Sequence, residues 1–373
     1  MQSAVAHAAL ILNEDEGRGK EMMDFVFKTA PLLGEEGYDQ DNVLGGNVSN
    51  ALIANVNRDG TSKENATQYD LGVVGRYTLL AETVAMYSDD PVYNLYLNPK
   101  FGSMFTAGAP LTLVDDYQVQ IGDSGSTATS QIFDSVNNVV NAFPYLKDTP
   151  IARTLAEYIY KLKKGDLSGM HYNVFTADPE SLPDDILALV SNDATSSKTT
   201  MMASFGVAAL RDGEKSETAN TLNDYWMSFV GNSGHGHQDM LQIGLDAYGL
   251  NFAPDLGTPE AKNDTVLSRF QWTNSTLSHN TVTVDAKSQL SSAVGTPLHF
   301  DDAGDVKVVD VDASSTYNET DIYRRTLVTV DVGAVSYGID FFRVLGGSDH
   351  IYSFHAQTLK PEDATAVDFN VVP

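Results

Sequence analysis

Between Ser191 and Gly213 the chain reads SNDATSSKTTMMASFGVAALRDG, and its texture changes inside that stretch. Ser191 to Thr200 is rich in Ser, Thr, Asn and Asp, a composition that interrupts regular structure and suits a linker. The segment SFGVAAL that follows reads as a strand. Upstream, apolar residues recur at helical spacing in KEMMDFVFKTAPLL (20–33), VSNALIANVNRD (48–59), YDLGVVGRYTLLAETVAMY (69–87), ATSQIFDSVNNVVNAF (128–143) and IARTLAEYIYKLKKG (151–165). Downstream, β-branched and polar residues alternate in MLQIGLDAYG (240–249), HNTVTVD (279–285), VKVVDVD (306–312), YRRTLVTVDVG (323–333), AVSYGIDFFRVLG (334–346) and DHIYSFHAQ (349–357). The pattern predicts an α+β multidomain chain: helical hairpins over 1–195, arranged in layers or as a toroid, then an antiparallel β-sandwich over 196–373.

The length of 373 residues accommodates two cores. A hydrophobic content of 42% with 20% charged residues is that of a globular protein. No apolar run is long enough to span a membrane, and the first twenty residues lack the basic-then-apolar order of a secretory signal. They read as a helix already under way, so truncation at the N-terminus is expected, and the other end also stops without an evident terminus. The absence of cysteine removes disulfides, thiolate metal sites and cysteine nucleophiles. A net charge of −27 argues against nucleic acid as a partner. It also repels a polyanionic glycan at long range, but salt screens such repulsion over about 10 Å, so a local cleft remains open to an anion.

His235 and His237 flank one glycine in GHGHQDM, and an extended backbone would put both side chains on one face. Asp255 follows eighteen residues after His237, where a hairpin would return its carboxylate to the histidines. His279 opens HNTVTVD. Two imidazoles and a carboxylate make a nitrogen and oxygen set suited to zinc. Ordinary structural histidines, satisfied within the fold, explain the same spacing equally well.

At these residues the sequence resembles the heparinase II/III-like polysaccharide lyases. GHGHQDMLQIGLDAYGLNFAPDLGTPE (234–260) and WTNSTLSHNTVTVDAKSQ (272–289) carry the likeness, with 323–357 behind them. Ahead of them lie NRDGTSKENATQYDLGVVGRYTLLAE (57–82) and LTLVDDYQVQIGDSG (111–125), in the same order. The resemblance implies an (α/α) toroid, incomplete here, followed by an antiparallel β-sandwich. It implies cleavage of a uronate-containing polysaccharide by β-elimination. Metal ligands would be His237, Asp255 and His279, holding Zn2+ in a structural role, and catalytic residues would be Tyr69 and His235. In that chemistry the C5 proton leaves from a position alpha to a carboxylate, whose charge must be neutralised, while an acid protonates the departing O4. A phenol can donate a proton and, once ionised beside positive charge, accept one, so it serves both steps when C5–H and O4 lie on the same side of the ring; for the opposite stereochemistry His235 is the candidate second group.

The family's neutralising residue has no clear counterpart, since the matching helix falls at the start of the chain. Gln2 or His7 is a substitute there, and Glu64 and Gln68 are candidates for substrate contact. Asp123, in the turn IGDSG, is expected at the cleft rim, and Arg324 and Arg325 are expected to pair with acids of the sandwich. The implied partner is an acidic polysaccharide, with no nucleic acid and no membrane span, in the periplasm or outside the cell, and a homodimer is compatible with the chain. Two other readings remain open from the residues: a non-catalytic module that binds acidic glycans, and a zinc-dependent hydrolase.

Overall fold

The computed structural model describes residues 2–12, 17–28, 36–37, 48–88, 90–125, 132–170, 172, 174, 176, 178–191, 198–216, 219–232, 234–258, 271–333 and 335–357, apart from the side chain of Gln2. The chain divides into two compact units. The first comprises Met1–Val119, Ile132–Ser197 and Met202–Phe205; the second comprises Gln120–Gln131, Lys198–Met201 and Gly206–Pro373.

The first unit holds helices α1 (Gln2–Leu12), α2 (Arg18–Phe27), α3 (Val48–Asn55), α4 (Thr67–Tyr87), α5 (Pro99–Met104) and α6 (Gly108–Leu111). A small hairpin, β1 (Thr112–Leu113) and β2 (Tyr117–Gln118), precedes α7 (Val136–Leu146), α8 (Ala152–Leu162) and α9 (Leu182–Leu187). Spacing explains the packing. Helix α8 buries Ala152, Leu155, Ala156, Tyr158 and Ile159, a stripe at intervals of three and four, against Val139, Val140 and Phe143 of α7. Asn98 begins α5 by accepting a hydrogen bond from the Lys100 amide at 3.0 Å, and Pro99 supplies the first helical position.

Helix α7 starts at Val136, not at Ala128 as periodicity alone suggests; residues 128–131 lie outside those described. Tertiary bonds decide its start. Gln118 Oε1 accepts the amides of Phe133 (2.7 Å) and Asp134 (3.3 Å), and the buried Asp134 carboxylate accepts from Tyr158 Oη at 2.7 Å. These bonds hold residues 133–134 in place just ahead of the helix.

The second unit is built of antiparallel strands. One sheet has the order β3-β4-β5-β6-β7, from β3 (Thr200–Met202), β4 (Val207–Asp212), β5 (Asn223–Ser228), β6 (Gln242–Ala247) and β7 (Leu250–Asn251). After β8 (Val282–Val284) come β9 (Thr296–Asp301), β10 (Val306–Asp312), β11 (Thr320–Asp331) and β12 (Ser336–Gly346), paired in the order β12-β11-β10-β9. The last strand, β13 (His350–Tyr352), pairs with β8. Ala208 and Leu210 of β4, Met227 of β5, Val309 and Val311 of β10, and Tyr323 and Leu327 of β11 share one core.

Periodicity missed β5 and β9. In β5, NDYWMS, five of six residues are buried, so no polar face alternates with an apolar one. Its Trp226 donates from Nε1 to Asp246 of β6 at 3.0 Å. Burial pushes the Asp246 carboxyl up to about 8, and the neighbouring Asp224 pushes in the same direction against the Trp226 hydrogen bond. Among the described residues, no helix is long and apolar enough to cross a membrane.

A carboxyl held above its unfolded value binds a proton in the folded state that the unfolded state has lost. Its contribution to stability is therefore full below the unfolded value near 4 and is lost as pH rises through about 8. Asp246→Asn keeps an acceptor for Trp226 and removes the titration. Denaturation across pH 5–8 should show the variant gaining on the parent by about 1.4 kcal/mol per pH unit. Parallel curves for the two proteins would show that Asp246 does not titrate in that range.

Candidate functional site

Arg325 of β11 fixes the backbone on which the site is built. It is fully buried, and its guanidinium pairs with Asp340 of β12 through two bonds of 2.8 Å. Its Nη1 donates to the carbonyls of Leu241 and Asn280, each at 2.6 Å. These carbonyls stand immediately before Gln242 and immediately after His279. Leu241 has φ of 59°, a left-handed conformation that costs a side-chain-bearing residue energy, and the ion-assisted bond to its carbonyl helps to hold it there. The neighbouring Arg324 pairs with Asp310, so both arginines serve the sheet.

Three buried side chains converge beside this anchor. Asp255 lies beyond β7, in the loop that returns to the start of β6, where Gln242 Nε2 donates to Asp255 Oδ2 at 2.8 Å. The amide of Gly257 donates to Asp255 Oδ1 at 2.7 Å. Gly257 has φ of 64°, and a Cβ there would meet the carbonyl oxygens of Ser124 and Gly125 at 2.6 Å, so only glycine permits the approach. His279 follows a short 3-10 turn, ahead of β8, and its Nδ1 lies 2.9 Å from Asp255 Oδ2 and 2.7 Å from Gln242 Oε1. His237 Nδ1 stands 3.9 Å from Asp255 Oδ1. One ligand atom from each of His237, Asp255 and His279 falls within 4.8 Å of the others.

The GHGH segment is not a strand. Residues 234–235 turn, and residues 236–237 pair with no ladder. What places both imidazoles together is Asp123, whose carboxylate lies 3.1 Å from His235 Nδ1 and 3.1 Å from His237 Nε2, while its amide donates to the His235 carbonyl at 2.9 Å. The turn IGDSG suggests a rim residue at Asp123; the structure makes it the link between the two histidines. Nothing local in IGDSG announces that link, because the contact spans more than a hundred residues of sequence.

The donor set fits a cation. His237 Nε2 carries its proton toward Asp123, and His279 Nε2 donates to the Thr273 carbonyl at 2.9 Å. Each bond turns the ring's other nitrogen, Nδ1, toward Asp255, the arrangement by which neighbouring carboxylates and carbonyls orient metal-bound histidines. His237 Nδ1 is buried with no hydrogen-bond partner among the described residues, a lone pair awaiting a positive charge. Burial works against charge on Asp255, yet His279 and His237 outweigh it and hold the carboxyl down at about 2. Burial likewise opposes a proton on His279, and Asp255 overrides it, raising the imidazole above its usual value. A proton held between a carboxylate and an imidazole marks the place a divalent ion takes when it binds. Asp239, fully buried nearby, is pushed up to about 6 by burial, with the Asp255 carboxylate adding to the shift against the two histidines.

His235 differs from its neighbour. Its side chain is 35% exposed, against 1% for His237. With Nδ1 donating to Asp123, Nε2 carries the ring's lone pair.

Tyr69, Glu64 and Gln68 belong to the helical unit. Tyr69 sits half-buried in the first turn of α4, Gln68 is exposed beside it, and Glu64 precedes the helix. Asp70 ties this corner together: it accepts from Ser62 Oγ and from the Glu64 amide at 3.4 Å, and burial pushes its carboxyl up to about 7. Gln2 begins α1, and its side chain lies outside the described residues. His7 Nδ1 donates to the Ser3 carbonyl one turn back at 2.7 Å, an ordinary contact within the helix.

Residues 196–361 match the family model described as heparinase II/III-like, C-terminal. Among solved structures the chain is similar to Heparinase III, with a TM-score of 0.62 and 16% identity over 95% of this chain and 48% of that one. It is also similar to a mutant of heparan sulfate lyase HepC from Pedobacter heparinus, with a TM-score of 0.58 and 15% identity over 80% of this chain and 40% of that one. The chain thus spans less than half the length of either structure, and at these identities the likeness shows the fold. No curated protein matches it by sequence.

Removing one partner from a buried charged cluster costs about 3–5 kcal/mol. Asp255→Asn should therefore lower unfolding free energy by about that amount in chemical denaturation. Dialysis against a chelator should lower the melting temperature of the parent and leave that of the variant unchanged. Equal responses of the two proteins would show that the cluster holds no ion.

Proposed function

We propose, from the premise that residues 196–361 form a heparinase II/III-like C-terminal domain, that the chain is a polysaccharide lyase acting on a uronic-acid-containing glycan by β-elimination. One observation carries this reading: the same 166-residue span (361 − 196 + 1) contains a buried His237–Asp255–His279 cluster joined through Asp123 to the more exposed His235. In the wider architecture we assign the helices to an (α/α) toroid over 1–195 and the sheets to a β-sandwich over 196–373. An acidic polysaccharide places the protein in the periplasm or outside the cell, and we leave a homodimer as its proposed assembly.

The ion we assign to His237, Asp255 and His279 is Zn2+, and its contribution is structural: it locks the loops that carry His235 and Asp123. The chemistry then falls to the chain's own side chains. Removal of the C5 proton leaves negative charge on the uronate carboxylate, which needs a positive or hydrogen-bonding neighbour. His235, with its tautomer set by Asp123, has Nε2 to offer as base or, once protonated, as that neighbour. Tyr69 supplies the phenol that protonates O4 as the bond to C4 breaks, and it takes the C5 proton where the two groups lie on one side of the ring. Glu64, Gln68 and Gln2 are assigned to substrate contact. No water is consumed, and no covalent intermediate forms.

An unsaturated uronate absorbs near 232 nm. Incubation with heparosan, heparan, chondroitin, hyaluronan, alginate and ulvan should raise that absorbance for at least one glycan. Tyr69→Phe should lower kcat by about 100-fold or more, and His235→Ala by a similar factor, as expected for the loss of a positioned acid or base. New reducing ends without absorbance at 232 nm would identify a hydrolase and contradict the reading.

A further inference from the structure

We infer that Gln242 Oε1 is the fourth ligand of the buried metal centre, so that protein atoms enclose the ion on every side and leave no position for water. The inference rests on the metal reading proposed above for His237, Asp255 and His279, and it adds a consequence. A zinc site that activates water keeps one position open, whereas a structural site is closed by four protein ligands. With Gln242 in the fourth position the ion is structural by its coordination, and a zinc-dependent hydrolase loses its nucleophile.

Gln242 is placed by its backbone before its side chain acts. It opens β6, pairs with Ser228 of β5 and donates its amide to the Asp239 carbonyl at 2.8 Å. The carbonyl just before it, that of Leu241, is held by Arg325. The residue is only 1% exposed. Both ends of its carboxamide lie in the cluster: Nε2 donates to Asp255 Oδ2 at 2.8 Å, and Oε1 stands 2.7 Å from His279 Nδ1. These two contacts fix which end is oxygen. Turned over, the amide would set its NH2 group against the proton of His279 Nδ1 and its oxygen against a carboxylate oxygen.

The proton on His279 Nδ1 therefore faces two acceptors, Gln242 Oε1 and Asp255 Oδ2, the latter at 2.9 Å. A metal ion binds an imidazole nitrogen that has given up its proton, so the ion takes that proton's place and both acceptors then face the ion. An Oε1 left outside the coordination sphere would become a buried acceptor without a donor, which is unfavourable. A carboxamide oxygen is a neutral hard donor, and with it the set becomes two nitrogens and two oxygens, the number a tetrahedral site takes. Asp239 is also buried nearby, but the ligand atoms within 4.8 Å of one another come from His237, Asp255 and His279 and not from Asp239.

The test pairs zinc affinity, measured by competition with a chromophoric chelator, with substitution by Co2+, whose visible spectrum reports coordination number and any added ligand. The cobalt-loaded parent should give the intense spectrum of a four-coordinate ion and no change on titration with azide. Gln242→Ala removes the oxygen and leaves room beside the ion. It should bind zinc about 100-fold more weakly, and azide should shift its cobalt spectrum. Gln242→Glu separates a ligand from a mere brace. A ligating carboxylate should hold zinc at least as tightly as the parent does, whereas a residue that only donates to Asp255 would be replaced by a like charge and lose affinity. An azide shift in the parent, weaker zinc binding by Gln242→Glu, or a Gln242→Ala protein that matches the parent in affinity and azide response overturns the assignment. Failure of the parent to bind zinc or cobalt removes the metal centre and this ligand with it; one bound equivalent together with an azide shift in the parent removes Gln242 alone.

Discussion

The buried guanidinium of Arg325 is the constraint on which the strand-rich unit turns. A fully buried cation is tolerable only if its donors are all engaged, and here Asp340 takes two of them while the carbonyls of Leu241 and Asn280 take Nη1. Phe342 and Tyr352 close over its plane, with centroids 4.9 and 5.5 Å from Cζ. The two carbonyls bound by Nη1 are the backbone neighbours of Gln242 and His279. The arginine thus converts the rigidity of a long antiparallel pair, β11 with β12, into fixed positions for side chains at the start of β6 and in the segment ahead of β8.

Built on that anchor, the cluster is a balance of charges. Asp255 is held ionised against its burial by His279 and His237, and Asp123 is held below the usual carboxylate range, against its own burial, by the same His237 together with His235. His237 therefore lies between two carboxylates, one on each ring nitrogen. That explains how one GHGH segment serves two ends. The inner histidine closes a buried cluster on Asp123 Oδ1, and the outer one keeps a third of its side chain exposed while bonding Oδ2 of the same carboxylate.

How much of this the sequence discloses depends on the range of the interaction. The passage from helices to strands near Ser191–Gly213 is local and was legible, as was strand β10, whose bounds of Val306–Asp312 agree with the alternation in VKVVDVD. Arg324 and Arg325 pair with acids of the sheet, Asp310 and Asp340, as expected. The start of α7 was not legible, because Gln118 and Tyr158 set it from elsewhere in the chain. Strand β5 was hidden because both its faces are covered. In the site, residue type and order marked His235, His237, Asp255 and His279 for attention. They did not reveal that the segment bearing the first two is a turn, that Asp123 bridges them, or that Gln242 braces Asp255 from β6.

The central claim is that the buried trio is a metal centre, and X-ray absorption at the zinc edge tests it most directly, on full-length protein purified without chelator and supplied with one equivalent of zinc. The account predicts a four-coordinate ion with two imidazole nitrogens and a carboxylate oxygen at roughly 2.0–2.2 Å, and the loss of that spectrum in His279→Ala. A spectrum of hydrated zinc, or one unchanged by His279→Ala, would contradict it.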